Sequence, residues 1–184
     1  MGQPKLLLPL GDKPVIQHCI DTLSSAGISE IVVVVNVSGN DIIEKVRELP
    51  ATIAVNNISG SDMAESVRTG LRALKGSPSG ILVCLSDHPL VSPETLKTII
   101  RQHHKTPESI LIPAYHDHRG HPTLFPAALV SQLLTKSGIT LRDLIREQAQ
   151  HVLTLDVGDD GVVLDMDTEE DYKRLLDRFG GGRE

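Results

Sequence analysis

Residues 31–35 read Ile-Val-Val-Val-Val. A run of β-branched, wholly apolar residues has no face to offer water, so it predicts a strand covered on both sides. The same signature recurs at 81–85, Ile-Leu-Val-Cys-Leu, and shorter apolar stretches at 52–55, 109–113, 152–157 and 162–166 read as further strands. Between them, segments at 15–25, 41–49, 62–74, 93–104, 127–136, 140–150 and 169–179 read as helices. In 62–74, for example, Met63, Val67, Leu71 and Leu74 fall on one face. Alternation of buried strands with helices predicts a single doubly wound α/β sheet, mostly parallel and Rossmann-like, with helices on both faces. Residues 1–179 form one domain, residues 115–122 a loop, and the glycine-rich 180–184 a frayed, flexible tail.

A chain of 184 residues can bury a core without staples. With two Phe, two Tyr and no Trp, that core must be built from Leu, Ile, Val and Ala. The net charge of −6 argues against a nucleic-acid or anionic-membrane binder, which would carry a basic face. No apolar run reaches the length of a membrane span and no signal peptide is visible. Cys19 and Cys84 lack metal-ligand spacing and sit in apolar settings, so they read as reduced, buried thiols of a cytoplasmic protein.

Asp87 falls where the strand at 81–85 must end, and Ser92 then caps a helix with Pro93 at its first position. A carboxylate at the carboxyl end of a central strand lies where open α/β sheets bind ligands. It can hold a hard cation such as Mg²⁺ and, through it, phosphate oxygens. The alternative is that Asp87 caps a turn before Pro89. His88 has no second His at ligand spacing and is not read as a metal ligand. His116, His118 and His121 lie in a loop without Cys, which gives a structural zinc site little support. Thr168 and Asp171 have capping-box-like spacing, which by itself accounts for Thr168.

Five blocks carry a family resemblance. They are Met-Gly-Gln-Pro-Lys-Leu-Leu-Leu-Pro-Leu-Gly at the start, and Ser-Gly-Ser-Asp-Met-Ala-Glu-Ser-Val-Arg-Thr-Gly at 59–70. Then come Leu-Ser-Asp-His-Pro-Leu-Val at 85–91, Arg-Gly-His-Pro at 119–122, and Asp-Met-Asp-Thr at 165–168. In this order they resemble the molybdenum cofactor cytidylyltransferases and their MobA-like NTP transferase relatives. The resemblance implies that Lys5 neutralises nucleotide phosphates and, with Asp87, is catalytic. It implies that Gly60 and Ser66 lie around base and ribose, although a well-capped helix would explain them equally. It gives Asp87 and Asp167 to a catalytic Mg²⁺, with Asp165 a weaker candidate, and Arg119, Gly120 and His121 to the acceptor. Met63 and Val67 are read as core residues.

The activity implied by this resemblance is that of a Mg²⁺-dependent nucleotidyltransferase. It would pass CMP from CTP to the phosphate of molybdenum cofactor and release pyrophosphate. Its partners would be an NTP, a molybdopterin-type acceptor and a molybdoenzyme or its chaperone, not nucleic acid or a membrane. The alternatives are a GTP-using or other small-acceptor relative, and a non-catalytic nucleotide- or cofactor-binding protein. The resemblance also implies a first strand, a Leu-Ala-Ala-Gly loop and an arginine ahead of Met1, hence a natural chain that starts upstream. A shortened relative is the other possibility.

Overall fold

The computed structural model describes residues 4–37, 39–58, 60, 62–136 and 138–181. A 3₁₀ turn over Lys5–Leu7 leads into a two-stranded ribbon, β1 (Pro9–Leu10) and β2 (Lys13–Pro14), and then α1 (Val15–Ser25). The next elements are β3 (Val32–Asn36), α2 (Asn40–Val46), β4 (Thr52–Asn56), α3 (Met63–Ala73), β5 (Gly80–Val83) and α4 (Pro93–Lys105). The second half runs β6 (Ile110–Tyr115), β7 (His118–Arg119), β8 (Thr123–Pro126), α5 (Ala127–Val130), α6 (Gln132–Thr135), α7 (Leu141–Glu147), β9 (Val152–Asp156) and α8 (Glu169–Gly181).

The molecule is mixed α/β with a mostly parallel central sheet. β3 pairs parallel with β4, and β6 parallel with β9. β8 is inserted antiparallel between β5 and β6. Helices cover both faces, as side-chain alternation along β6 shows. Ile110 and Ile112 pack with Phe125 and with Val67 and Leu71 of α3, whereas Leu111 and Leu124 pack with Ile99 of α4. Residues pointing alternately to two apolar layers are what a doubly covered strand requires.

The sheet is not continuous. Among the described residues β3 pairs only with β4 and β5 only with β8. Between the facing edges of β3 and β5 lies a cavity of about 1040 Å³. Valines 32–35 and residues 80–85 line its sides, Ile16, Ile20 and Leu23 of α1 contribute to its wall, and Pro4 and Leu6 reach its rim.

Several expectations need correction. Residues 162–166 form no strand: Asp160–Val162 is a 3₁₀ turn and the residues after it are irregular. The apolar residues Val162 and Met166 there are both fully buried, each in a different apolar cluster. The expected helix at 127–136 is two short helices meeting at Ser131, and that at 140–150 stops at Glu147 before a 3₁₀ turn. Residues 115–122 contain a tight hairpin between β6 and β7, with His116 (φ 46°) and Asp117 (φ 65°) both left-handed, the backbone that matches strand twist in a two-residue turn. Helix α8 continues through Gly180 and Gly181, which the tail was expected to include; residues 182–184 lie outside the described residues. Cys84 is exposed to the cavity rather than buried, and Met63 is 52% exposed rather than core.

Candidate active site

Three charged residues far apart in sequence meet at one end of the sheet. Lys5 Nζ donates to Asp87 Oδ2 at 3.1 Å and to Asp167 Oδ1 at 2.8 Å. One apolar cluster positions all three. Leu6, Leu90 and Met166 pack together with Leu10, Val15 and Leu175, and each lies within three residues of a charged member. Burying these neighbours therefore fixes Lys5, Asp87 and Asp167 without burying the charges themselves, whose side chains are 36%, 21% and 66% exposed.

The loops around the trio are wedged by two close backbone approaches. A Cβ on Gly161 would come within 2.3 Å of the Leu90 carbonyl, and one on Gly120 within 2.1 Å of the Val162 carbonyl. No side chain fits at either place. Gly120 thus makes its close approach to the chain itself, and His121 N donates to Val162 O at 2.9 Å. The turn at 160–162 thereby joins the loop bearing Asp87 to the segment bearing His121. Asp159 strengthens the joint by accepting from Ser92 N and Thr95 Oγ1. Ser92 caps α4 as expected, accepting from Thr95 N.

Behind Asp87 sit two buried imidazoles. His88 Nε2 is 3.9 Å from Asp87 Oδ1, and the His88 and His121 ring centroids are 5.3 Å apart. Asp87 Oδ1 and the Nδ1 atoms of both histidines are buried with no hydrogen-bond partner among the described residues. Burial, and then the neighbouring His88, press the His121 pKa below the usual histidine value, while Asp87 opposes them. Burial also works against the Lys5 charge, but its hydrogen bonds to Asp167 and Asp87 outweigh that and raise its pKa. Burial pushes the Cys19 thiol up to about 12, so it is no ready nucleophile.

The other expected residues stand apart from this trio. Ser66 on α3 accepts from Asn56 Nδ2 at 3.3 Å, and its position borders the cavity. Gly60 is exposed with φ +69°. Arg119 is exposed on β7, paired in register with Ala114. Asp165, the weaker metal candidate, is exposed and lies outside any strand. Thr168 and Asp171 form the expected reciprocal cap of α8. Sequence patterns alone missed Asn56, a buried amide ending β4, and the burial of His88. A polar residue closing an apolar strand run, as Asn56 closes 52–55, was the available signal.

No three metal-capable side chains converge among the described residues. The Asp87–Asp167 pair still suits a hard cation that takes its remaining ligands from water and phosphate. Asp87 Oδ1 is a buried acceptor left unsatisfied, and the Lys5 ammonium already occupies a cation position between the two carboxylates.

Asp87 in the loop after β5, Asp167 ahead of α8 and Lys5 thus form one charged cluster on a mixed α/β fold. The chain belongs to the MobA-like NTP transferase family, whose domain profile matches residues 1–152. It is 29% identical over 182 residues to nicotine blue oxidoreductase of Paenarthrobacter nicotinovorans, covering 94% of this chain and 88% of that one. Rv0371c of Mycobacterium tuberculosis has a similar structure, with TM-score 0.76 and 28% identity over 96% of this chain and 90% of that one. Its manganese complex superposes with TM-score 0.73 at 28% identity, covering 96% and 93%. A nucleotidyl transferase from Methanothermobacter shares the fold, with TM-score 0.82 and 24% identity over 97% of this chain and 86% of that one. No helix among the described residues is long and apolar enough to cross a membrane.

Proposed function

We propose that this MobA-like nucleotidyltransferase transfers CMP from CTP to the phosphate of a molybdopterin-type acceptor. The observation that carries the reading is the Lys5–Asp87–Asp167 constellation, a lysine and two carboxylates drawn together from residues 5, 87 and 167. An acceptor phosphate oxygen forms a bond to the α-phosphorus. The bond from that phosphorus to the bridging oxygen breaks, and pyrophosphate leaves with the electron pair. Such a reaction needs positioning and charge neutralisation more than covalent help. Mg²⁺ or Mn²⁺, bound by Asp87 and Asp167, would supply Lewis-acid neutralisation of the phosphates. Lys5 offsets charge on the same phosphates, Ser66 and Gly60 border the nucleoside, and Arg119 with His121 seats the acceptor phosphate.

The cavity between β3 and β5 belongs to the same reading. Two facing strand edges, β3 with its valines and β5, suit one more extended strand between them. A strand there would end in a turn beside Lys5, where backbone N–H groups can cradle phosphate. The manganese complex of Rv0371c supports a divalent metal, and the family supports an NTP. The test incubates the protein, with and without an added N-terminal strand and glycine-rich turn, with each NTP, Mg²⁺ or Mn²⁺, and molybdenum cofactor. CTP-dependent pyrophosphate release in the extended form is expected. Release with GTP alone would change the donor, and no release with any NTP would reject the transfer reaction.

A further inference from the structure

Lys5 and a metal ion compete for the same oxygen atoms. The ammonium bonds Asp87 Oδ2 and Asp167 Oδ1, one oxygen of each carboxylate that a divalent ion would share. It is an incomplete occupant, because Asp87 Oδ1 stays buried without a partner among the described residues. It is also free to leave: the Lys5 and Asp167 side chains are 36% and 66% exposed, and a lysine stem is flexible with a compact charge at its tip. Two cations sharing this pair would repel at close range.

We propose that Lys5 is the resident counter-cation of the Asp87–Asp167 pair and that it gives way to a divalent ion only when nucleotide phosphates draw it off. The proposal rests on the reading of those two carboxylates as the metal pair. In the free protein the lysine holds the carboxylates together and keeps divalent ions out. A triphosphate offers the ammonium a more highly charged partner, and the freed carboxylates then take the ion. Metal and nucleotide binding are therefore coupled through one side chain, and by linkage the coupling is reciprocal.

The experiment titrates Mn²⁺ into the full chain without nucleotide, using the free-ion electron paramagnetic resonance signal as the readout. Lys5→Met should tighten Mn²⁺ binding about tenfold or more, the effect of removing a competing charge-assisted bond, while weakening CTP binding. A merely structural lysine would give the opposite sign for the metal, so unchanged or weaker Mn²⁺ binding in Lys5→Met overturns the exchange. Lys5→Gln repeats the measurement should the Met variant melt early, and the same signs decide. Adding Asp87→Asn to Lys5→Met separates the two ideas. If the double variant loses Mn²⁺ but Lys5→Met gains nothing over the parent, the metal pair stands and only the exchange falls. If the double variant binds Mn²⁺ as tightly as Lys5→Met, the metal pair falls and takes the exchange with it.

Discussion

β3 and β6 have the same kind of sequence and different surroundings. Ile110, Leu111 and Ile112 of β6 are at most 5% exposed, because β8 and β9 flank them and helices cover both faces. Val32, Val33 and Val34 of β3 are only half-buried, because one edge of their strand faces the cavity. An apolar run states a demand for neighbours; whether the demand is met depends on the rest of the fold. Lys5, Asp87 and Asp167 sit near the seam between these halves. The β6 half is filled by packed side chains, and the cavity wall reaches Leu6 and Ser86, next in sequence to Lys5 and Asp87.

The contrast can be broken most sharply at the seam. Asp87→Ala should lower pyrophosphate release by about a thousandfold or more, since losing one of two metal-holding carboxylates costs several kcal/mol of transition-state stabilisation. Its thermal midpoint should stay within a few degrees of the parent, because the core does not rest on that side chain. An active Asp87→Ala enzyme, or a parent fully active in EDTA, would remove the site from the seam.

Next come the two halves themselves. Phe125→Ala, in the filled half, should cost about 3–5 kcal/mol by urea unfolding. Val34→Ala, at the cavity wall, should cost about 1 kcal/mol or less. Equal costs would mean that the halves are packed alike. An added N-terminal strand sharpens the point: it should raise the thermal midpoint, strengthen CTP binding and enlarge the Val34→Ala penalty toward that of a filled site. An unchanged penalty would place the added strand elsewhere.

Arg119→Lys should reduce acceptor use about tenfold to a hundredfold, by loss of planar, two-pronged phosphate recognition, with CTP affinity nearly constant. Equal effects on both substrates would move Arg119 to the nucleotide side of the seam.

The smallest effect concerns His103 of α4, buried against Gly80 at the start of β5, beside the cavity. Burial, and then His104, hold its pKa below the usual value, partly opposed by Ser79. The unfolded chain therefore takes up the proton first. The stability His103 contributes is complete above about pH 6.5 and is lost as pH falls through the lower folded-state pKa. Urea midpoints at pH 7.5 and 5.5 should differ less in His103→Gln than in the parent. An identical difference would show that His103 is not desolvated.

Much of the fold was legible because periodicity is local. Helix α1 spans the expected residues, α4 starts at its Ser92 cap, and β3 and β4 fall on their apolar runs. β8 was not legible. Thr123–Pro126 is four residues bounded by prolines, and such a piece reads as loop until two strands are seen to need a partner between them. The supposed strand at 162–166 failed for the converse reason, since an apolar stretch signals burial and two separate clusters supplied it here without any ladder. Of the site, Asp87 came from its strand end, while Lys5 and Asp167 depended on family resemblance.

By itself, then, the sequence determined the α/β class, most helices and the strand-end carboxylate, because each of these depends on residues a few positions apart. Only the tertiary structure decided that Lys5 bridges Asp87 and Asp167, that Gly120 and Gly161 are spacers between crossing backbones, and that a cavity divides the sheet. Each of those depends on which distant segments share one cluster, as Leu6, Leu90 and Met166 do, and no local pattern encodes that partnership.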